Sequence, residues 1–68
     1  MIKAILAEVK DRIGRGYKGE LLFNYRTGNY EIITWLEGAE HLEQKTHKLP
    51  STCNSLMLKK IVYPGEFT

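Results

Sequence analysis

The chain has 68 residues, of which 43% are hydrophobic and 26% are charged, so we expect a single folded domain over residues 1–68. The formal net charge is +2, but residues 1–26, 27–44 and 45–68 carry +3, −4 and +3, an alternation typical of a solvated surface. The apolar runs are far shorter than a membrane span of about 20 residues, and the single cysteine, Cys53, has no partner for an internal disulfide. We therefore expect a cytoplasmic protein that does not enter membranes.

The N-terminal segment, residues 2–13, repeats apolar side chains at helical spacing and places charged ones on the other side. This pattern predicts an amphipathic α-helix. Gly14 is expected to end it in the left-handed conformation that glycine tolerates. A short edge strand over residues 2–6 is the alternative.

Residues 14–19 spell G-x-G-x-x-G, the spacing of a dinucleotide-binding loop. In such loops the glycines follow a strand and open a helix, whose N-terminal amides face the phosphates. Here the predicted order is the reverse, because a helix precedes the loop and a strand follows it. We therefore predict a flexible connector and no nucleotide site.

Residues 19–38 predict a β-hairpin, because two runs rich in β-branched and aromatic residues flank the turn-forming segment 26–29. A two-residue loop at 27–28 or at 28–29 gives the same assignment of side chains to the two faces. One face is expected to form the core and carries Leu21, Phe23, Tyr25, Tyr30, Ile32, Thr34 and Leu36. The other face is polar except for Leu22, Ile33 and Trp35, which we call the open-face cluster.

The second half of the chain is less strongly patterned. Residues 39–49 are rich in helix formers and predict a short second helix. Residues 56–63 suit a helix or a strand, and we favour a third strand beside the first, in the order 2-1-3, because a two-stranded hairpin is marginal in water. Residues 64–68 are expected to form a tail.

These elements predict an α+β fold. It would consist of an N-terminal amphipathic helix, a central antiparallel β-hairpin, a short second helix and a C-terminal third strand. Both helices are expected to lie on one face of the small sheet, which leaves the open-face cluster on the other.

Residues with catalytic or metal-binding chemistry are few and poorly spaced. Cys53 with His41 or His47 lacks a third group to orient the imidazole. Glu40, Glu43 and His47 would share a face of the second helix, but one histidine makes a weak metal set. We expect no enzymatic activity, no cofactor, no metal and no small-molecule substrate.

The open-face cluster needs a cover, and polar neighbours such as Arg26 and Glu31 would form a rim around it. An apolar centre within a polar rim is typical of a protein interface. We therefore predict a small non-enzymatic interaction or assembly module, most simply a homodimer. The alternative cover is the C-terminal tail, with Phe67 folded over the cluster.

A second hypothesis is nucleic-acid binding by the basic loop after the first helix. The loop and its flanks combine basic side chains with one aromatic ring: Lys10, Arg12, Arg15, Tyr17 and Lys18. Basic groups neutralise phosphates and aromatic rings stack on unpaired bases. However, the acidic residues Glu31 and Glu37 flank Trp35, and no RNP-like aromatic motif is present.

Overall fold

The computed structural model describes residues 2–39, 44–50 and 53–66. Its elements are, in chain order, α1 (Ile2–Gly14), β1 (Lys18–Asn24), β2 (Asn29–Trp35), β3 (Lys45–Lys48), α2 (Ser55–Val62) and a 3-10 helix (Pro64–Glu66). The three strands form one antiparallel sheet in the order β1-β2-β3. Over the described residues the protein is therefore an α+β domain with two α-helices and a three-stranded meander.

The N-terminal helix is confirmed, but the glycine that ends it is Gly16 rather than Gly14. Gly16 has a φ of +97°, whereas Gly14 stays within α1. The Gly16 N–H donates to the Ile13 carbonyl at 3.1 Å, and the Tyr17 N–H donates to the Arg12 carbonyl at 3.0 Å. This pair of bonds is a Schellman motif, which satisfies carbonyls of the last turn and directs the chain toward the sheet.

The hairpin is confirmed, with a four-residue loop in place of the two-residue loop we expected. Asn24 pairs with Asn29, so the loop is residues 25–28. The Asn24 side chain accepts hydrogen bonds from two loop N–H groups at 2.9 and 3.3 Å, and Gly28 supplies a φ of +75°. Paired residue numbers still sum to an odd number, so the predicted division of side chains between the two faces holds.

The predicted helix over residues 39–49 is wrong where the structure describes it. Residues 45–48 form β3, antiparallel to β2, while residues 40–43 lie outside the described part of the chain. In β3 and just after it, His47 and Leu49 are buried and alternate with exposed neighbours, the period of a strand. The residue that hid this period is His47, a polar side chain that occupies a core position.

The predicted C-terminal strand is also wrong, because residues 56–63 fall largely within α2. Asn54 caps this helix, since its Oδ1 accepts from the Leu56 and Met57 N–H groups at 2.8 and 3.2 Å. Leu58 and Val62, four residues apart, are buried on its inner face. The third strand is thus β3, and the sheet order is 1-2-3 rather than 2-1-3.

The core lies between the two helices and the face of the sheet that carries Ile32. Its buried apolar residues come from every layer: Val9, Ile32, Leu49, Cys53, Leu58 and Val62. At Gly19 of β1 an added Cβ would lie 2.8 Å from Ile13 Cδ1 and 3.2 Å from Val62 Cγ1. The absence of a side chain there lets the C-terminal parts of both helices approach the strand.

The helices cover only part of that face. Phe23 and Tyr25, which we expected in the core, are 40% and 89% exposed. Both residues lie at or beside the turn end of β1, so this end of the hairpin extends past the helices that cover the rest of the face. Phe23 packs edge-to-face against Tyr25 and Tyr30 instead, with ring centroids 5.2 and 5.0 Å away.

One side-chain contact protects the outer edge of β1. The backbone N–H of Leu21, in the middle of this edge strand, donates to the hydroxyl of Tyr63 at 3.0 Å. Tyr63 directly follows α2, so the end of this helix supplies a hydrogen bond that a fourth strand would otherwise make.

Candidate functional site

The strand register places the open-face cluster on the side of the sheet opposite Ile32. Leu22 lies opposite Glu31, and Ile33 lies two positions further along β2, so Leu22 and Ile33 are diagonal neighbours. Trp35 follows Ile33 on the same face. Leu22 is 38% exposed, and the other two side chains are half-buried.

Equal numbers of cationic and anionic side chains flank the open-face cluster. The register puts Glu20 and Glu31 on this face together with Lys18 and Lys48. The side-chain amide of Asn24 donates to Glu31 Oε2 at 3.0 Å, which orients that carboxylate. The open face therefore presents an apolar centre between two cations and two anions.

Two further residues were expected at this surface. Arg26 lies in the hairpin loop, beyond the end of β1, and is exposed. Phe67, the alternative cover, lies outside the described residues.

The five residues of the basic-loop hypothesis do not form one surface. Lys18 lies on the open face, opposite Trp35, whereas Lys10 borders the groove between α1 and α2. Arg15 forms an exposed 3.3 Å ion pair with Asp11. The other two, Arg12 and Tyr17, contact each other, with the guanidinium carbon 4.2 Å from the ring centroid.

A hydrogen-bonded network that the sequence did not reveal links α1 to β2 and β3. Thr34, which is fully buried, has its hydroxyl 2.8 Å from Arg12 Nε and 2.8 Å from His47 Nε2. His47 Nδ1 lies 3.3 Å from Glu8 Oε1, and Lys45 Nζ lies 2.6 Å from Glu8 Oε2. Five side chains from three structural elements thus form one set of polar contacts on one side of the core.

The chemistry of these groups assigns the protons. A guanidinium only donates and a carboxylate only accepts, so Arg12 donates to Thr34 and the His47 Nδ1–H donates to Glu8. The Thr34 hydroxyl can then donate to His47 Nε2, which is the arrangement of a neutral imidazole. Burial lowers the pKa of His47, against the opposing effect of Glu8, and the same neutral form is favoured.

Glu8 is the charged end of the network. The hydrogen bond from Lys45 lowers the pKa of this carboxyl, although burial acts in the opposite direction. A hydroxyl, an imidazole and a carboxylate in this order occur in catalytic triads. Because the Thr34 hydroxyl is fully buried, no substrate reaches it in this structure, and the network acts as a polar tie between the helix and the sheet.

Part of this network could have been predicted from the sequence. Glu8 and Arg12 lie one turn apart on the predicted helix, and Thr34 was assigned to the core face. A buried hydroxyl requires a hydrogen-bond partner, so the pattern predicts that polar groups of the helix face Thr34. His47 was missed because its segment was assigned to a helix.

The structure also bears on the two other sites considered from the sequence, a nucleophilic cysteine and a metal-binding set. Cys53 is buried, and burial raises the pKa of its thiol, which disfavours the nucleophilic thiolate. Glu40 and Glu43 lie outside the described residues, and His47 lies on a strand. Within residues 2–39, 44–50 and 53–66, no group of three or more His, Cys, Asp or Glu side chains is placed to hold a metal ion.

The fold and its surfaces define a small α+β protein with one helix-covered and one open face of its sheet. No protein-family model matches the chain, and neither the curated proteins nor the solved structures give a significant match. In the part of the chain that the structure describes, no helix has the length and apolar character needed to cross a bilayer.

Proposed function

We propose that this protein is a non-enzymatic assembly module that forms a symmetric homodimer through the open face of its sheet. The observation that carries the proposal is the contiguous open-face cluster on the face that the core does not use. Large apolar side chains within a charged rim are what an interface core requires.

Charge supports a second copy as the partner. Lys18 and Lys48 equal Glu20 and Glu31 in number on this face, so a second copy would carry no excess of like charge. In a two-fold symmetric contact each patch meets its own copy, so the lysines of one copy can face the glutamates of the other. A surface that binds phosphates would instead carry an excess of cations.

Size supports the same conclusion. A chain of 68 residues buries only about 60% of the surface that its unfolded form exposes, so its stability margin is small. Covering the open-face cluster with a second copy would stabilise the fold by mass action. We place this assembly in the cytoplasm, where the single thiol of Cys53 would stay reduced.

The nucleic-acid alternative has less support. Arg12 bonds to Thr34 inside the fold and Arg15 pairs with Asp11, so two of its cations already have protein partners. It would replace the homodimer proposal if the protein bound RNA or DNA with strong salt dependence and Arg15→Glu weakened that binding.

The test of self-association is the mass in solution. We expect light scattering at micromolar concentration to give about twice the 7.9 kDa monomer mass. Trp35→Glu and Leu22→Glu should each give the monomer, because a charge within the cluster would be buried at the interface. Tyr25→Glu is the matched control, since Tyr25 is exposed at the hairpin tip and should leave the dimer intact.

Circular dichroism of each variant separates loss of dimer from loss of fold. Leu22→Glu is the more informative variant, because Leu22 is the most exposed of the three side chains. A wild-type protein that remains a folded monomer at these concentrations would contradict the proposal.

A further inference from the structure

A second apolar surface lies on the far side of the molecule, where α1 and α2 run side by side. It is a groove with a volume of about 500 Å³ in its larger part. Apolar residues from both helices and the following turn line it: Leu6, Ile13, Leu56, Met57, Ile61 and Pro64. The remaining lining residues are Lys10, Gly14, Asn54 and Lys60.

The groove has two apolar lobes with a pair of cations between them. Leu6 and Met57 border one lobe only, and Ile13 borders the other. Lys10 and Lys60 border both, one from each helix. The two lysines therefore lie on opposite walls of the groove, where the lobes meet.

Neither cation is neutralised within the described part of the chain. Lys10 and Lys60 make no ion pair there, and none of the described lining residues is acidic. The apolar walls are open as well, with Leu56 53% and Met57 40% exposed. Leu58 and Val62 turn inward to the core and Ile61 packs against it, whereas Leu56 and Met57 form an apolar side of α2 outside the core cluster.

We propose that this groove binds an amphipathic helix of an acidic protein partner. Each lobe would take one apolar side chain, and a carboxylate between them would pair with Lys10 and Lys60. Leu6 and Ile13 are seven residues apart along α1, which is about 10.5 Å. The partner helix should therefore have apolar anchors at positions i and i+7 and an acidic residue at i+3 or i+4.

The shape and composition of the groove select this partner. A third helix packs naturally into the channel between two adjacent helices. A nucleic-acid backbone would use the lysines but leave Leu56 and Met57 exposed. A lipid surface is flat, whereas these residues line a shallow groove between two helices.

This surface is separate from the one proposed for self-association. The helices and the open face lie on opposite sides of the sheet, so a dimer formed through the sheets would display two such grooves outward. Binding at the groove does not require the dimer, and the monomeric variant Leu22→Glu should keep it.

The probe is a fluorescein-labelled, alanine-rich helix of about 18 residues, long enough to be partly helical alone. It carries leucines seven residues apart, with glutamates three and four residues after the first leucine. The matched peptide has glutamine in place of both glutamates. Fluorescence anisotropy at about 0.05 M salt, where charge screening is weak, should show the glutamate peptide binding about tenfold more tightly.

Protein variants then locate the contact. Lys10→Gln combined with Lys60→Gln should abolish the difference between the two peptides, whereas Met57→Gln should weaken both. Lys59→Gln is the matched control, because Lys59 is exposed on α2 but does not line the groove. It should change the affinity by less than about twofold.

Three results would overturn the inference. One is that neither peptide binds at millimolar concentration. Another is that Lys59→Gln weakens binding as much as the double variant, which would indicate diffuse charge attraction. The third is binding to phosphatidylserine vesicles, lost in the double variant, with no binding to either peptide. None of these results bears on the mass of the wild-type protein, so the two proposals fail independently.

Discussion

Neighbouring residues of β2 have opposite surroundings. Ile32 and Thr34 point toward the helices and are fully buried, whereas Ile33 and Trp35 point the other way and stay partly exposed. A threonine is thus more deeply buried than a tryptophan one position away. Hydrophobicity alone does not decide burial here; the deciding factors are which face the helices cover and whether a polar side chain finds partners there.

Replacing Ile32 and Ile33 separately should give the largest difference in stability between the two faces. Ile32→Ala should lower the free energy of unfolding by about 2–5 kcal/mol, because it removes buried methyl groups and leaves a cavity. Ile33→Ala should cost less than half as much, since that side chain already contacts solvent. Urea denaturation of both variants measures the difference, and equal losses would mean that the two faces are equally well covered.

Disrupting the hydrogen-bonded network around Thr34 should lower the free energy of unfolding by less than Ile32→Ala does. Thr34→Val keeps the volume but removes the hydroxyl to which Arg12 Nε and His47 Nε2 are hydrogen-bonded, which should cost about 1–3 kcal/mol of stability. Thr46→Val is the matched control on the open face of β3, where the residue is exposed and a β-branched replacement suits a strand. A Thr34→Val protein as stable as wild type would show that the hydrogen bonds contribute nothing net.

Lowering the pH should reduce the free energy of unfolding through two residues of the same network, His47 and Glu8. His47 has a pKa below its ordinary value of 6.5 and Glu8 has one below 4.5, so the unfolded chain takes up protons first as the pH falls. Stability should therefore be fully present above about pH 6.5 and decline through the folded pKa of His47, then through that of Glu8. Thermal melts at several pH values should show this decline.

His47→Gln supplies the control for the pH dependence. It should remove the part of the decline that begins near neutrality and leave the part at lower pH, which belongs to carboxylates. If wild type and His47→Gln followed the same curve above about pH 5, His47 would not be held neutral by the fold.

The sequence predicts the first half of this fold well because its signals are long and redundant. Helical periodicity over residues 2–13 predicts α1. The residues that share a face of the hairpin depend only on whether paired residue numbers sum to an odd number, and this holds for both the expected and the observed loop length. The second half offers short segments whose state is decided by distant contacts. β3 has four residues, and its inward position is held by a contact between His47 and Glu8 of α1.

The wrong prediction of a strand over residues 56–63 has a different cause. The cap at Asn54 and the pair Leu58 and Val62 were readable as helical signals, but the requirement for a third strand was assigned to the wrong segment. Of the candidate sites, the open-face cluster could be predicted from the sequence alone, because the odd sum of paired residue numbers assigns each side chain of the hairpin to one face. The groove does not, because it exists only once residues 55–62 form a helix beside α1.

The hydrogen bond from Leu21 to the Tyr63 hydroxyl bears on how this protein avoids polymerising. A sheet with two available edges can add strands at both and grow without limit. Here one edge is blocked in the middle of β1, and the other belongs to the short β3, which has a lysine at each end. An accidental pairing at β3 would therefore give a six-stranded sheet with a blocked β1 edge at each end, which cannot grow further by edge pairing.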